Sequence, residues 1–407
     1  MAKKIRKKIL SPLRAGVRCA IMYLKESLRG GVLGFAKDAM ASIMRTKFCV
    51  YGYGEIMKLL HLADLHLGSE MSARLSAEKA RLRREELCRA FDSAVEYAKT
   101  IGAAAVLLAG DVFDGALPPA RDKEFFYDVI RSAEELTFFY LKGNHDEAEE
   151  AEFLPNLKTF RADKWTTYDL GEGVTVSGIE LTATNGESYY EGLALDDRKK
   201  NIVMLHGQTA DSRGAEKIHL RSLAGRGIDY LALGHIHSYG TGKIDARGTY
   251  AYSGCLEPRG FDELGEKGFV VIDTEVGVEH SFVERSARSV KREMLDVSGL
   301  AGIAQVLQKA SELPIEKENM LRIVLTGEAD FDTDGIESFL HARLKDRCFA
   351  LSVKDETEKA LHIEKYEGQV CVEWEFIKLV QANGTLSEKQ KKEVISMGLK
   401  ALKGERL

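Results

Sequence analysis

The stretch AAAVLLAGDVFD, residues 103–114, decides the fold of this chain. Seven small or apolar residues form a run typical of a strand buried on both faces, and the run leads directly into Gly-Asp-x-x-Asp. An apolar run that ends in Asp, Asn or His occurs four more times: DLH at residues 64–66, GNHD at 143–146, HG at 206–207 and GHIH at 234–237. Five strands are therefore predicted to present polar side chains at their carboxyl ends, where open α/β sheets place their ligands.

The composition is that of a globular protein long enough for two domains. The 407 residues are 44% hydrophobic and 30% charged, with no low-complexity stretch or internal repeat. The six cysteines are far apart and form no CxxC pair, which favours a reduced, cytoplasmic location. No apolar run approaches the roughly 20 residues that span a bilayer, so no membrane association is predicted.

Charge is distributed unevenly along the chain. Residues 1–56 carry 12 Lys and Arg against 3 acidic residues, a net charge of +9. Because the whole chain has a net charge of −5, the remaining 351 residues carry −14. An acidic body does not indicate nucleic-acid binding, so contact with DNA requires a local basic patch. The candidates for such a patch lie beside the first motif, where a solvated helix face is the alternative interpretation: Arg74, Arg81, Arg83 and Arg84.

Residues 1–56 are interpreted as a basic N-terminal extension. Their Arg-rich and acid-poor composition fits a transit peptide or an arm that contacts DNA or lipid. The alternative is that Met57 is the natural start, because the first strand pattern begins directly after it. In that case the extension is dispensable.

From Met57 on, short apolar runs alternate with helical periodicity, which predicts an α/β layer structure. Helices are predicted at residues 76–99 and 122–134, and a hairpin on a second sheet at 166–181. Two packed β-sheets flanked by helices are the simplest assembly. Residues 57–287 are therefore predicted to form one domain.

A second, smaller α/β domain is predicted at residues 288–375, followed by a helical tail at 376–407. In the tail, a helix is predicted from Ser387 to Leu402, with Ser387 as N-cap but without the acidic partner of a full capping box. This helix either docks a partner or closes the small domain.

The polar residues of the five motifs are ligands that hard or borderline divalent ions prefer. Asp64 and His66 are two residues apart and can face one ion, and Asp111 is the natural bridge to a second. Two ions about 3.5 to 4 Å apart can clamp a phosphoryl group and lower the pKa of a water, so that hydroxide attacks the ester. The predicted metal ligands are Asp64, His66, Asp111, Asn144, His206, His235 and His237.

Two further residues of the third motif are predicted to be catalytic. His145 follows Asn144 directly and is expected to protonate the leaving oxygen, with Asp146 fixing its tautomer. Asp114 is interpreted as a supporting carboxylate or a helix cap, and His61 as a packed core histidine.

The motif order DxH, GDxxD, GNHD, H, GHxH resembles that of the calcineurin-like metallophosphoesterases. The finer detail is similar to the SbcD-type DNA double-strand-break repair nucleases within that superfamily. This resemblance covers residues 57–273 and implies a four-layer metallophosphoesterase fold with a C-terminal α/β capping domain. It is carried by residues 63–68, 110–114, 229–237, 253–257, 261–263 and 267–268.

The resemblance also implies the chemistry and the partners. One ion would be held by Asp64, His66, Asp111 and His237, the other by Asp111, Asn144, His206 and His235, with Mn²⁺ as the usual metal. His145 matches the family's catalytic histidine. Cleavage of DNA phosphodiesters, an SbcC-like coiled-coil ATPase as partner, and a homodimer are expected.

Two other functions remain compatible with the sequence. The chain is either a phosphodiesterase or phosphatase for a small molecule, or a non-catalytic partner subunit of an ATPase. The additional domain and tail disfavour the first alternative, and the complete set of ligand-type residues disfavours the second. Many relatives carry Pro-Gly-Ser where this chain has residues 252–255, Tyr-Ser-Gly-Cys, which bears on the substrate rather than on the reaction.

Overall fold

The computed structural model describes residues 57–71, 75–115, 117–146, 151–402 and 404. The extension predicted at residues 1–56 lies outside the described residues, and so does Arg74.

The described residues up to Glu284 alternate between strands and helices as far as Leu141, as the sequence pattern predicts, and then form mostly strands. They form β1 (Lys58–Leu62), α1 (Ala77–Thr100), β2 (Ala105–Ala109), α2 (Ala120–Arg131), β3 (Thr137–Leu141), β4 (Leu157–Thr159), β5 (Thr166–Gly171), β6 (Val174–Gly178), a 3₁₀ turn (Tyr189–Gly192), β7 (Lys200–His206), β8 (Gln208–Thr209), β9 (Lys217–Ile218), α3 (Leu220–Leu223), β10 (Tyr230–Gly234), β11 (Gly240–Lys243), β12 (Thr249–Tyr252), β13 (Gly268–Asp273) and β14 (Glu279–Glu284).

These strands build two six-stranded mixed sheets. The first has the order β14-β13-β1-β2-β3-β4, with β1 to β4 parallel and β13 and β14 antiparallel. The second has the order β11-β12-β10-β7-β6-β5, with β6, β7, β10 and β12 parallel. The hairpin predicted at residues 166–181 is confirmed as β5 and β6, which pair antiparallel at the edge of the second sheet.

The two sheets pack face to face because the strands alternate their side chains between two cores. Leu60 and Val106 point to the outer face, where they pack against α1 and α2. Leu59 and Leu107 point inward and meet Ile202 and the other inward residues of the second sheet. Strand β2 is buried on both faces, which explains its unbroken apolar run.

The outer layers differ in thickness. On the first sheet lie the long helices α1 and α2, and Ser76 caps α1 by accepting a hydrogen bond from the Lys79 N–H at 3.3 Å. On the second sheet the cover is thin, formed by the 3₁₀ turn and by α3. The predicted four-layer metallophosphoesterase fold, with two packed sheets flanked by helices, is confirmed.

The chain beyond β14 adds a separate sheet with its own core. It forms β15 (Val290–Asp296), α4 (Ile303–Ser311), β16 (Met320–Thr326), β17 (Glu328–Ala329), α5 (Ile336–Leu344), β18 (Ala350–Asp355), β19 (Glu358–Lys359), a 3₁₀ turn (Ile363–Lys365), α6 (Val372–Gln381) and α7 (Glu388–Leu402). Strands β15, β16 and β18 are parallel, and α4 and α5 pack against them.

Both ends of helix α2 differ from the prediction. The helix begins two residues earlier than expected, directly after its N-cap Pro119, and it ends at Arg131, three residues earlier than expected. Residue 376, at which the tail is predicted to begin, lies inside α6, and α6 pairs with α7 through Ile377 and Ile395.

The N-terminus of α7 also corrects a prediction. Ser387 Oγ accepts from the Gln390 N–H at 3.3 Å, while Gln390 Oε1 accepts from the Ser387 N–H at 2.9 Å. The capping box is therefore complete, with glutamine in place of the acidic partner. None of the helices in the described parts of the chain has the length and apolar character that a bilayer span requires.

Candidate metal centre

The five motifs meet at one edge of the two facing sheets. The β1–β2 pairing continues past the strand ends, where the Asp64 N–H donates to Gly110 O at 2.9 Å and the His66 N–H donates to Asp111 O at 2.9 Å. Across the sheets, the His235 N–H donates to the Asp64 carboxylate oxygens at 2.9 and 3.1 Å. These hydrogen bonds hold the carboxyl ends of β1, β2 and β10 close together.

Glycines in the motifs allow this close approach. Gly110 has φ +93°, and a Cβ there would lie 2.2 Å from His206 Nδ1. At Gly234 a Cβ would lie 2.0 Å from Ala109 O of the facing sheet. Real carbon atoms do not approach so closely without displacing their neighbours, so glycine is required where the two sheets converge.

The backbone at the site is strained. Of the seven non-glycine residues with positive φ in the described parts of the chain, four are predicted ligands: Asp64 (52°), His66 (47°), Asp111 (52°) and His235 (100°). Each such conformation costs of the order of 1–3 kcal/mol and persists only where the surroundings impose it. Here the strand-end hydrogen bonds impose it and direct the four side chains into the space between the sheets.

Asp111 lies at the middle of the cluster. Its Oδ2 is 3.3 Å from His206 Nε2 and 3.8 Å from His66 Nε2, while its Oδ1 accepts from the His145 N–H at 2.9 Å. A carboxylate between two histidine groups occupies the position of a bridging ligand.

One ligand group surrounds the first motif. Asp64, His66 and His237 each offer a ligand atom within 4.8 Å of the others. The Nε2 atoms of His66 and His237 are only 3.2 Å apart. A divalent cation held by both residues would satisfy the two imidazole lone pairs together.

The second ligand group lies on the other side of Asp111. Asp64, Asp111 and His206 again offer ligand atoms within 4.8 Å of one another. Asn144 Oδ1 is 3.0 Å from His206 Nε2 and 3.3 Å from His235 Nδ1. The fold therefore brings all seven predicted ligands together.

Outer contacts orient the histidines toward the cluster. Nδ1 of His206 is 2.9 Å from Ala109 O, and Nδ1 of His237 is 2.7 Å from Glu263 Oε1. Such acceptors fix the tautomer and leave Nε2 free as a ligand. With carboxylate, amide and imidazole donors in one buried space, the residues fit a pair of divalent ions.

The electrostatics of the site favour positive charge between the carboxylates. Burial raises the pKa of Asp64 to about 6, although His206 and His237 oppose the shift. Burial also disfavours ionisation of Asp111, but the hydrogen bond and charge of His206, together with the His145 N–H, hold the pKa of that carboxyl well below its usual range. Burial disfavours the His206 cation as well, yet the hydrogen bond with Asp111 and the charges of Asp64 and Asp111 together outweigh it and raise the pKa of His206 to about 9.

His145 lies at the open edge of the cluster. Its side chain is 42% exposed, and its ring packs edge-on against His66 with centroids 4.9 Å apart. Its Nδ1 is 3.4 Å from Asp114 Oδ1. The ring is thus oriented by a carboxylate and remains accessible from solvent.

The role predicted for Asp146 is not supported by its contacts. Its buried oxygens accept from the backbone N–H groups of Phe113 at 2.8 Å, Gly143 at 3.0 Å and Val112 at 3.2 Å. Asp146 therefore ties the second and third motif loops together, and the carboxylate beside His145 is supplied by the second motif instead.

Three supporting residues carried no predicted role. Glu263 holds His237, the buried Lys267 Nζ donates to His237 O at 2.7 Å, and Arg259 NH1 donates to Asp114 Oδ1 at 3.1 Å. The only signal in the sequence was the resemblance of residues 261–263 and 267–268 to the SbcD-type pattern, which gives no roles. Arg259 lies outside those segments.

His61 is a core residue, as predicted: it is buried and its Nδ1 is 2.9 Å from the Tyr230 hydroxyl. The basic patch proposed beside the first motif is wrong for Arg83. This side chain is fully buried, and it donates to Glu86 at 2.5 Å and Glu257 at 2.8 Å. A side chain held in a buried ion pair of this kind neither contacts DNA nor forms part of a solvated face.

The other described arginines of the proposed patch lie at the surface. Arg81 is 3.4 Å from Glu85, and Arg84 NH1 donates to Glu70 O at 2.7 Å. Both interpretations of these two arginines, a basic patch and a solvated helix face, stay predictions.

The fold and the ligand cluster together define a metallophosphoesterase domain. The family model described as calcineurin-like phosphoesterase matches residues 57–239, and this domain belongs to that family. The family expected from the motif order is confirmed.

Several relatives are similar to this chain. DNA double-strand break repair protein Mre11 of Methanosarcina acetivorans is 26% identical over 53% of this chain and 36% of its own length. Mre11 of Sulfolobus acidocaldarius is 24% identical over 70% of this chain and 79% of its own. A component of the nuclease SbcCD of Bacillus subtilis is 24% identical over 56% of this chain and 69% of its own. The chain thus spans little more than a third of the first of these relatives.

Proposed function

We propose that this chain is a two-metal phosphodiesterase that cleaves DNA with Mn²⁺. The convergence of seven ligand-type side chains, with Asp111 at their middle, supports the proposal. Two bound divalent ions would neutralise phosphoryl charge and provide hydroxide at neutral pH. The proposed ligands are Asp64, His66, Asp111 and His237 for one ion and Asp111, Asn144, His206 and His235 for the other.

His145 is the proposed proton donor to the leaving oxygen. Its exposed ring lies beside the ligand cluster, and Asp114 lies at its Nδ1 side, which leaves Nε2 for the substrate. When the phosphorus–oxygen bond breaks, the departing alkoxide takes the proton from His145. The His145 imidazole then takes up a proton from solvent.

DNA is the proposed substrate because the relatives named above are DNA repair proteins and a nuclease. The same relatives support a phosphodiester rather than a monoester. The scattered cysteines, four of which are free thiols in the described parts of the chain, support a cytoplasmic location.

The C-terminal part of the chain, from residue 288 on, is proposed to contact DNA and an ATPase partner. Residues 288–375 would form the DNA-capping domain and the helical tail would dock an SbcC-like coiled-coil ATPase, with the chain as a homodimer. One relative is a component of the nuclease SbcCD, which supports a multisubunit nuclease. The α6–α7 pair also exposes apolar side chains, among them Leu379 (74%) and Met397 (54%).

A nuclease assay tests the proposal. The purified full chain is supplied with Mn²⁺ and an end-labelled linear duplex, beside the variant His145→Ala. We expect the wild type to cleave DNA and the variant to lose kcat by about 10²- to 10⁴-fold while metal analysis finds equal bound Mn²⁺. Unchanged cleavage by the variant would contradict the role of His145, and absence of bound Mn²⁺ in both would contradict the metal centre.

A small-molecule phosphodiester is the second candidate substrate, favoured by the net charge of −14 on residues 57–407. A chromogenic diester, bis(p-nitrophenyl) phosphate, assayed beside DNA separates the two. Turnover of the chromogenic ester without any cleavage of DNA would favour the small molecule.

A further inference from the structure

We propose that Arg259 is a substrate-binding residue, whose guanidinium holds a non-bridging oxygen of the phosphate on the His145 side of the metal centre. The inference rests on the proposed phosphoesterase function and deepens it. Arg259 lies outside residues 57–239, which the family model matches, and outside the five motifs.

The local structure brings Arg259 to the open edge of the centre. It follows β12 in the loop that leads to Glu263, whose Oε2 accepts from the Arg259 N–H at 2.8 Å. Its NH1 donates to Asp114 Oδ1 at 3.1 Å. The same oxygen is 3.2 Å from His66 Nδ1 and 3.4 Å from His145 Nδ1, so one carboxylate oxygen joins the arginine to a predicted ligand and to the predicted acid.

The guanidinium keeps unused donors. Its Nε is buried without a hydrogen-bond partner among the described residues, 3.5 Å from Glu263. Its NH2 faces His237 Nδ1 at 3.4 Å, but that nitrogen is already engaged with Glu263 at 2.7 Å. A ring nitrogen that donates its proton to a carboxylate cannot accept another, so NH2 lacks a good acceptor. Phosphate oxygens are the acceptors that suit a planar guanidinium.

The charge at the site also leaves Arg259 available for an anion. Four carboxylates contact the histidines of the metal centre or Arg259: Asp64, Asp111, Asp114 and Glu263. Their four negative charges would balance two divalent ions, and the buried Asp146 and Lys267 beside the site carry opposite charges, so the Arg259 charge would be a surplus. A surplus cation at the mouth of a polar cleft attracts a phosphodiester and stabilises charge that develops during its cleavage.

Exposure distinguishes this role from simple neutralisation of Asp114. The side chains of Arg259, Asp114 and His145 are 21%, 25% and 42% exposed, whereas those of His66 and Asp111 are buried. A substrate phosphate that reaches His145 therefore meets Arg259 as well.

The test compares Arg259→Gln and Arg259→Lys with the wild type in three measurements. These are kcat and KM on bis(p-nitrophenyl) phosphate with Mn²⁺, binding of inorganic phosphate to the Mn²⁺-loaded protein by calorimetry, and Mn²⁺ affinity. The matched control is Arg247→Gln, since Arg247 also pairs with a carboxylate, Asp229, but at the amino end of β10, away from the centre.

We expect Arg259→Gln to weaken phosphate binding and lower kcat/KM by about 10- to 100-fold, with Mn²⁺ affinity kept within about twofold. Arg259→Lys keeps the positive charge but lacks the planar guanidinium. Its phosphate affinity and kcat/KM should therefore lie between those of Arg259→Gln and the wild type. Arg247→Gln should match the wild type in all three measurements.

Two results would overturn the inference. Phosphate binding and turnover unchanged in Arg259→Gln would show that the guanidinium does not contact substrate, with the phosphoesterase function intact. A parallel loss of Mn²⁺ affinity would assign Arg259 to support of His237 instead. If the wild type binds phosphate but hydrolyses no ester, the proposed function fails, and the phosphate affinity of Arg259→Gln still decides the role of Arg259.

Discussion

At the scale of single residues, Asp114 lies beside His145, in the position that the sequence predicts for Asp146. Asp114 is close to His145 in the structure and Asp146 follows it in the sequence, but the two carboxylates have different environments. Asp114 is partly exposed and contacts His66, His145 and Arg259 through one oxygen. Asp146 is buried and accepts three backbone N–H groups of the two motif loops. We infer that one supports chemistry and the other supports the loops.

This difference predicts opposite effects of substitution. Asp146→Ala leaves buried backbone donors without an acceptor and should lower the free energy of unfolding by about 3 kcal/mol. Asp114→Asn removes the charge beside His145 and should lower kcat by about tenfold or more with little change in stability. Urea unfolding and steady-state turnover measure the two effects. A stable Asp146→Ala protein with reduced kcat would restore the sequence-based role of Asp146.

At the scale of elements, the site depends on how closely β2 and β10 approach across the two sheets. The alternation of apolar residues along each strand makes the sheets pack, and the glycines at their ends let the ligand loops meet. A periodic pattern in the sequence predicts each strand separately. It does not predict the facing partner, because that pairing is set by tertiary packing.

Gly234→Ala should therefore disturb the centre more than an ordinary glycine substitution. Its Cβ would lie 2.0 Å from Ala109 O, which forces the sheets apart at a cost of about 1–3 kcal/mol and weakens Mn²⁺ binding. Gly240→Ala is the matched control, since no atom lies within 4 Å of its Cβ. Thermal unfolding with and without Mn²⁺ measures both. Equal behaviour of the two variants would contradict the close approach.

At the scale of the whole molecule, a buried ion network joins the metallophosphoesterase domain to the small domain. Arg83 contacts Glu86 and Glu257, while Arg288 donates to Glu86 at 2.7 and 3.0 Å and stacks over Phe349 at 3.6 Å. Beside it, Phe261 packs against Val290, Met320 and Ala350 of the small domain. The boundary predicted near residue 288 thus falls within a packed junction.

Removing one member of this network should destabilise the whole chain. Glu257→Ala leaves Arg83 buried with one partner fewer and should cost about 3–5 kcal/mol in the free energy of unfolding. Arg89→Ala breaks an exposed pair with Glu85 and should change stability by less than about 0.5 kcal/mol. Denaturant unfolding of both variants tests this. A cost for Glu257→Ala no larger than that for Arg89→Ala would contradict a structural role for the junction.

The sequence by itself determined the ligand-type residues, their order and their position at strand ends. Each of these features is local: an apolar run specifies a strand, and the residues that follow it in the chain lie at its end. Tertiary structure alone decided which side chains support them. Arg259 reaches Asp114 from 145 positions away, Arg83 leaves a predicted surface for a buried ion pair, and Asp146 turns to its own loop. Asp146 also accepts from Val112 and Phe113 of the second motif loop. Such contacts depend on the packing of segments distant in sequence, which no local periodicity encodes.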